Sequence, residues 1–200
     1  MKKIILATTL IALLIPTANA QFTKIGGGLG YNYDYHFNNE QFSDHKLKNP
    51  ILFFTGIYEI NLPFHLSPSI NIYFPNIYKD EPFAGYEYRQ VTTGFSLDVN
   101  AHYVFNALDR CELYALTGIN ILYARRKIVE KDLGEIIFED SQGSTAFGAN
   151  VGIGSYFKVR EQFDLFVELK AILASQIQFV GTAGILLNID WLKKNEEAAF

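Results

Sequence analysis

The 200-residue sequence has few of the features that stabilise or mark the commoner protein classes. It contains one cysteine, Cys111, so no disulfide within the chain can stabilise it. Acidic residues outnumber basic ones, giving a net charge of −4. Such a chain lacks the basic surplus that displaces phosphate counterions, so we do not expect it to bind nucleic acid. Beyond residue 20, no apolar run approaches the roughly 20 residues that a membrane-spanning helix needs.

The first 20 residues have the three parts of an export signal. Lys2 and Lys3 supply positive charge, residues 4–15 are an apolar run, and Ala18-Asn19-Ala20 places small residues at a cleavage site. The apolar run is too short to span a bilayer as a helix. We therefore predict a signal peptide over residues 1–20, cleaved after Ala20.

The rest of the sequence alternates apolar and polar residues with a period of two, the pattern of β-strands. Between residues 90 and 105, for example, Phe95, Leu97 and Val99 share one face, opposite Ser96 and Asp98. The aromatic content of 15% and the 15 glycines also favour strands over helices. Eight strands are predicted: 22–35, 51–62, 70–74, 90–105, 112–124, 147–158, 163–173 and 177–191.

The lengths and connections of these strands favour a membrane barrel over a soluble sandwich. Crossing a bilayer takes about 9–11 residues of a tilted strand, whereas strands of globular proteins average about 5–6. The predicted loops 36–49, 79–87 and 127–144 are long, and the turns 63–68, 106–110 and 160–162 are short, as in outer-membrane barrels. We predict an all-β fold, an eight-stranded antiparallel up-and-down transmembrane β-barrel over residues 21–191, with a polar periplasmic tail over residues 192–200.

The polar faces of the strands carry charges of both signs among small residues. The interior of an eight-stranded barrel is narrow and filled by side chains, and charges placed there must pair to offset desolvation. We therefore predict a packed polar lumen with a charge network. Its predicted members are Lys24, Asp98, His102, Glu112, Arg126, Lys158, Glu168 and Lys170.

Arg125 lies at the end of the fifth predicted strand, on the outward face, opposite the face that carries the predicted lumen residues. An arginine fork matches phosphate geometry, so Arg125 is a candidate contact for lipopolysaccharide phosphates. The alternative is that its side chain only snorkels to the membrane interface.

Several patterns together resemble the outer membrane protein β-barrel domain family, the OmpA/OmpX-type barrels common in Bacteroidota. They are the segment 26–31 (Gly-Gly-Gly-Leu-Gly-Tyr), the segments 114–120 and 148–156, and the closing strand. The resemblance implies outer-membrane lipid as surroundings and the barrel-assembly machinery as a partner during biogenesis. It also implies a β-signal in the last strand, carried by Thr182, Gly184, Leu187 and Ile189.

Two further patterns suggest chemistry only weakly. His65-Leu66-Ser67 is similar to the His-x-Ser pair of lipid A deacylases. Such a pair needs an orienting third group and access to the acyl chain, and this one falls in a predicted periplasmic turn, far from outer-leaflet lipid A. Asp34, His36, Asp44 and His45 could bind a cation, although their irregular spacing also fits an ordinary polar loop. We expect no catalytic residue, metal or cofactor.

The sequence leaves four functions open. The preferred one is a non-enzymatic outer-membrane barrel with surface-exposed loops and a structural, adhesive or envelope-interaction role. The others are a small-solute pore, an envelope enzyme acting on lipid, and a secreted lipocalin-like carrier, which would turn its apolar face inward. The ligand of the external loops cannot be named from the sequence.

Overall fold

The computed structural model describes residues 22–34, 48–61, 63–108, 110–174 and 177–189. The predicted signal peptide, the loop carrying His36, Asp44 and His45, and the tail 192–200 lie outside these residues. The strands are β1 (Phe22–Asp34), β2 (Lys48–Asn61), β3 (Phe64–Asp80), β4 (Tyr86–Leu108), β5 (Cys111–Asp132), β6 (Glu135–Arg160), β7 (Phe163–Leu173) and β8 (Ile177–Asn188).

The eight strands form a closed antiparallel barrel. Each strand pairs with the next along the chain, and β8 closes the ring against β1 in an unbroken register from Lys24↔Asn188 to Asp34↔Gln178. The predicted eight-stranded barrel is thus confirmed. Closure leaves no unpaired edge around the ring, because every strand has two neighbours. Within the described part of the chain, no helix is long and apolar enough to span a membrane.

The outward face of the barrel is apolar. Large hydrophobic side chains such as Phe54, Ile119 and Leu169 are 53%, 61% and 60% exposed. In β7 the alternation is strict, since Leu165, Val167 and Leu169 are exposed while the residues between them are buried. A continuous apolar outer face is what a barrel surrounded by lipid requires.

The lumen is less polar than we predicted. Phe53, Phe166 and Leu186 point inward and are 5% exposed or less. A narrow interior excludes most water, so apolar groups fill it at no solvation cost where no charge needs a partner. The inward apolar cluster comprises Ile51, Phe53, Ile57, Tyr73, Val104, Tyr114, Leu116, Tyr156, Phe166, Ile172, Val180 and Leu186.

Four strands are much longer than we predicted. The predicted loops 79–87 and 127–144 are wrong, because their chain continues as paired strands that turn only at residues 81–85 and 133–134. Gly85 and Gly134 both have φ of 89° at these turns, a conformation that side chains disfavour. The predicted turn 63–68 is also wrong, since residues 64–68 belong to β3.

The long strands continue beyond one rim of the barrel as a four-stranded sheet. β3 pairs with β2 only as far as Tyr73, and β6 pairs with β7 only from Ala149 onward. We call residues 74–93 and 125–148 the hairpin extension, and the barrel end that carries it the hairpin end. The opposite end, where Phe22 and Asn188 lie, is the terminal end. Both faces of the extension carry polar residues, so the apolar alternation that predicts strands is missing there.

Candidate functional site in the lumen and the hairpin extension

Four of the eight predicted network residues (Asp98, His102, Glu168 and Lys170) lie around one buried carboxylate, that of Asp98. Its side chain is 1% exposed and receives hydrogen bonds from Lys170 Nζ at 2.7 Å and Asn71 Nδ2 at 3.0 Å. Asn120 Nδ2 donates a further hydrogen bond to Asp98. Lys170 lies 3.4 Å from Glu168 as well. Strands β4 and β7, three positions apart in the ring of eight, are therefore joined across the lumen.

A stack of rings continues this network. His102 lies parallel to Tyr114, with ring centroids 4.4 Å apart, and Tyr114 stacks on Tyr156 at 4.5 Å. His102 Nδ1 shares a 2.6 Å hydrogen bond with Tyr156 Oη, and Tyr114 Oη donates to Glu168 Oε2 at 3.1 Å. Because Tyr114 and Tyr156 have the same inward parity as their charged neighbours, the period-two pattern predicts their face. The pattern does not predict that the rings of Tyr114 and Tyr156 stack.

The packed lumen leaves almost no free space. The cavity beside these rings, lined also by Phe53, Phe166 and Lys170, measures about 20 Å³. One water molecule needs roughly 10–15 Å³ on this measure. This layer of the lumen therefore has room for about one water.

Four other predicted network residues lie away from Asp98. Lys24 pairs with Asp164 at 2.8 Å, and Lys158 pairs with Glu112 at 2.6 Å, both toward the terminal end. Arg126 lies in the hairpin extension, where it hydrogen bonds to Gln142 at 3.3 Å in an exposed position. The period-two pattern assigns each residue to a face of its strand, but it does not give the position of the residue along the barrel axis.

The His-x-Ser pair has no catalytic geometry. His65 and Ser67 lie on β3 and point into the lumen, where Ser67 Oγ is 3.0 Å from Thr55 Oγ1. Neither ring nitrogen of His65 has a hydrogen-bond partner among the described residues. A histidine that activates a serine must contact its hydroxyl, and this one does not.

The predicted β-signal residues line the seam where β8 meets β1. Thr182 and Gly184 point toward the lumen, and Gly184 lies directly opposite Gly28. Leu187 is exposed on the outer face, and Ile189 follows the last residue of β8. A Cβ atom at Gly184 would collide with the backbone oxygen of Gly27. Glycine is therefore required here for the two strands to approach.

Outside the lumen, the hairpin extension holds a cavity of about 670 Å³ on its outward face. We call it the basic cavity. Val91, Thr93 and Val129 form part of its lining, and three acids stand near the turn: Asp80, Glu81 and Glu87. Its five cations are Lys79, Arg89, Arg125, Lys127 and Lys131. Of these, only Arg125 was a predicted site residue.

Several contacts order the extension. Arg125 Nε donates to Ser141 Oγ at 2.9 Å, and Lys127 pairs with Glu139 at 2.6 Å. Tyr86 Oη donates to Glu130 at 2.5 Å, and this hydrogen bond raises the pKa of the Tyr86 phenol. These contacts join neighbouring strands on surfaces that water reaches.

The family model of the outer membrane protein β-barrel domain matches residues 4–185, nearly the whole sequence. The chain belongs to this family. The predicted resemblance is thereby confirmed, and membership implies an outer-membrane location. No curated protein matches the chain in sequence.

Solved structures agree with this family in fold. The attachment invasion locus protein Ail of Yersinia pestis is 14% identical, with a TM-score of 0.52 over 84% of this chain and 99% of Ail. Ail in complex with the heparin analogue sucrose octasulfate gives a TM-score of 0.54 at 14% identity, over 82% and 95%. Neisserial surface protein A is also 14% identical, with a TM-score of 0.51 over 86% and 99%. At such identities the likeness is one of fold.

Proposed function

We propose that this family member is a non-enzymatic barrel with a sealed lumen, whose hairpin extension contacts other molecules at the cell surface. One observation carries the proposal. The lumen is filled by the Asp98–Lys170 network and the stacked rings, while the strands β3–β6 continue past the rim as a polar sheet. The long strands thus add an exposed surface beyond the rim. In the lumen, the layer of the Asp98–Lys170 network and the stacked rings has no open channel.

The orientation of the extension follows from the connections. Outer-membrane barrels have short periplasmic turns and longer external segments. At the terminal end the connections between strands are short, whereas the hairpin end carries the extension and the connection from Asp34 to Lys48. This contrast supports a hairpin end outside the cell and a terminal end in the periplasm.

The relatives are consistent with a surface role. The name of Ail describes it as an attachment protein. In its complex with a heparin analogue, a barrel of this fold is seen together with a polyanion. The extension of our chain carries basic side chains such as Arg89 and Lys127 in an exposed cavity. We therefore propose attachment to anionic surfaces as the role of the extension.

Trimming the extension tests this role. In the trimmed variant, residues 74–93 and 125–143 are each replaced by Asn-Gly, which favours a two-residue hairpin turn. These cuts fall next to the paired positions Tyr73↔Gly94 and Ala124↔Ser144, so the barrel register is kept. We expect producing cells to lose attachment to heparin-coated plates.

The control is the folding of the trimmed barrel. A folded barrel resists SDS until boiled and migrates as a faster band, so unboiled outer membranes show whether the variant is assembled. Unchanged attachment by cells that contain the assembled trimmed barrel would contradict the proposed role.

A further inference from the structure

The basic cavity brings like charges together on one face. Lys79 and Arg89 are direct partners across β3 and β4, and both point outward. On β5, Lys127 lies opposite Val91 and so one step diagonally from Arg89, and Arg125 follows on the same face. Like charges directly opposite each other destabilise a strand pair. A bound anion would remove this repulsion.

Among the described residues, no acid forms an ion pair with Lys79, Arg89 or Arg125 of this row. Glu87 pairs with Lys131 at 3.3 Å, toward the turn, and Lys127 is held by Glu139. Arg125 donates to a neutral hydroxyl, that of Ser141. Lys79 and Arg89 form no ion pair with any of the residues that the structure describes. Arginine forks and ammonium groups arranged in this way are suited to phosphate oxygens.

The cavity lies at the edge of the apolar outer band. Arg125 follows Tyr123 on the outward face of β5, and Thr93 precedes Phe95 on that of β4. The rings of Phe95 and Tyr123 are in contact, with centroids 5.6 Å apart, as expected of aromatic side chains at a membrane interface. The cations just beyond them are therefore at the level of lipid headgroups.

We propose that the basic cavity binds the phosphate groups of an outer-leaflet glycolipid headgroup. Its volume of about 670 Å³ is in the range of sites for whole small molecules and far exceeds a single phosphate. Arg89 and Arg125 contact the phosphates, and Val91 and Val129 pack against the less polar part of the headgroup. The site goes beyond surface attachment but rests on the proposed orientation, with the hairpin end outside.

The test compares purified protein in phosphatidylcholine nanodiscs with and without bisphosphorylated lipid A. The site variant is Arg89→Gln/Arg125→Gln. The control variant, Arg110→Gln/Arg126→Gln, removes the same charge but changes a residue of the terminal-end turn and one on the other face of β5. We expect lipid A to raise the midpoint of thermal unfolding in the wild type and the control, and at least half of this rise to be lost in the site variant.

An equal rise in all three proteins would overturn the site. If inorganic phosphate alone reproduced the rise, the assignment to a lipid would be overturned. Should the site variant not give the SDS-resistant band, Lys79→Gln/Lys127→Gln tests the same cavity against the same criterion. Labelling of Lys79 and Lys131 by a membrane-impermeant reagent in intact wild-type cells, located by mass spectrometry of peptides, tests the orientation separately. Failure of the site and failure of the proposed function are therefore distinguishable.

Discussion

At the scale of single residues, the structure depends most on the buried ion pair of Asp98 and Lys170. Lys170 Nζ is the only cation that pairs with this carboxylate among the described residues, and both side chains are at most 4% exposed. Removing one partner of a buried pair leaves an uncompensated charge in a medium that solvates it poorly. An exposed pair such as Lys127–Glu139 has water available in place of its partner.

We therefore expect Lys170→Ala to lower the free energy of unfolding by about 3–5 kcal/mol, and the control Lys127→Ala by less than about 1 kcal/mol. Urea unfolding of the barrel in lipid vesicles free of anionic glycolipid measures both. Equal losses in the two variants would show that the lumen pair is no more important than a surface pair.

The sequence predicts that Lys24, Asp98, Glu168 and Lys170 point inward, because successive side chains of a strand point to alternate faces. It does not predict their partners. Which residues meet across the lumen depends on the register between strands, and a period-two pattern says nothing about register. Arg126 has the parity of the network but lies beyond the rim for this reason.

At the scale of strands, closure of the barrel depends on the contact of β1 with β8. Gly28 and Gly184 are opposite each other there, and an added Cβ at either would collide with backbone atoms of the other strand. Backbone atoms cannot rotate away as a flexible side chain can. At Gly181, on the outer face of the same strand, an added Cβ would approach only the side chain of Leu169, at 3.2 Å.

We expect Gly184→Ala to reduce the yield of closed barrel several-fold relative to Gly181→Ala. Refolding of purified protein into detergent, followed by SDS gels of unboiled samples, gives the yield without any assembly machinery. A defect of Gly184→Ala seen only in cells would point instead to the predicted β-signal and would contradict the steric explanation.

Most strands that cross the apolar band were predicted well, but residues 64–68 of β3 and the extension were not. β7 matches its predicted range of 163–173 because one face is lipid-exposed and the other is packed. Residues 127–144 have polar side chains on both faces, such as Ser141 and Gln142. Without an apolar face the alternation signal disappears, although the backbone pairing continues.

At the scale of the whole molecule, the protein consists of a packed barrel and an exposed sheet that continues from it. The lumen contributes stability through packing and paired charges, and the extension provides the surface that we propose contacts other molecules. The alternative of a small-solute pore requires a continuous water path past Tyr114 and Tyr156, where the cavity beside the two rings measures about 20 Å³.

Conductance across a planar bilayer tests the sealed lumen most directly. Refolded wild-type barrel, with insertion verified by the SDS-resistant band and a large porin recorded in the same bilayer as control, is held under an applied voltage. The packed lumen predicts no unitary conductance steps. Reproducible steps from the purified barrel would contradict the sealed lumen and favour the pore.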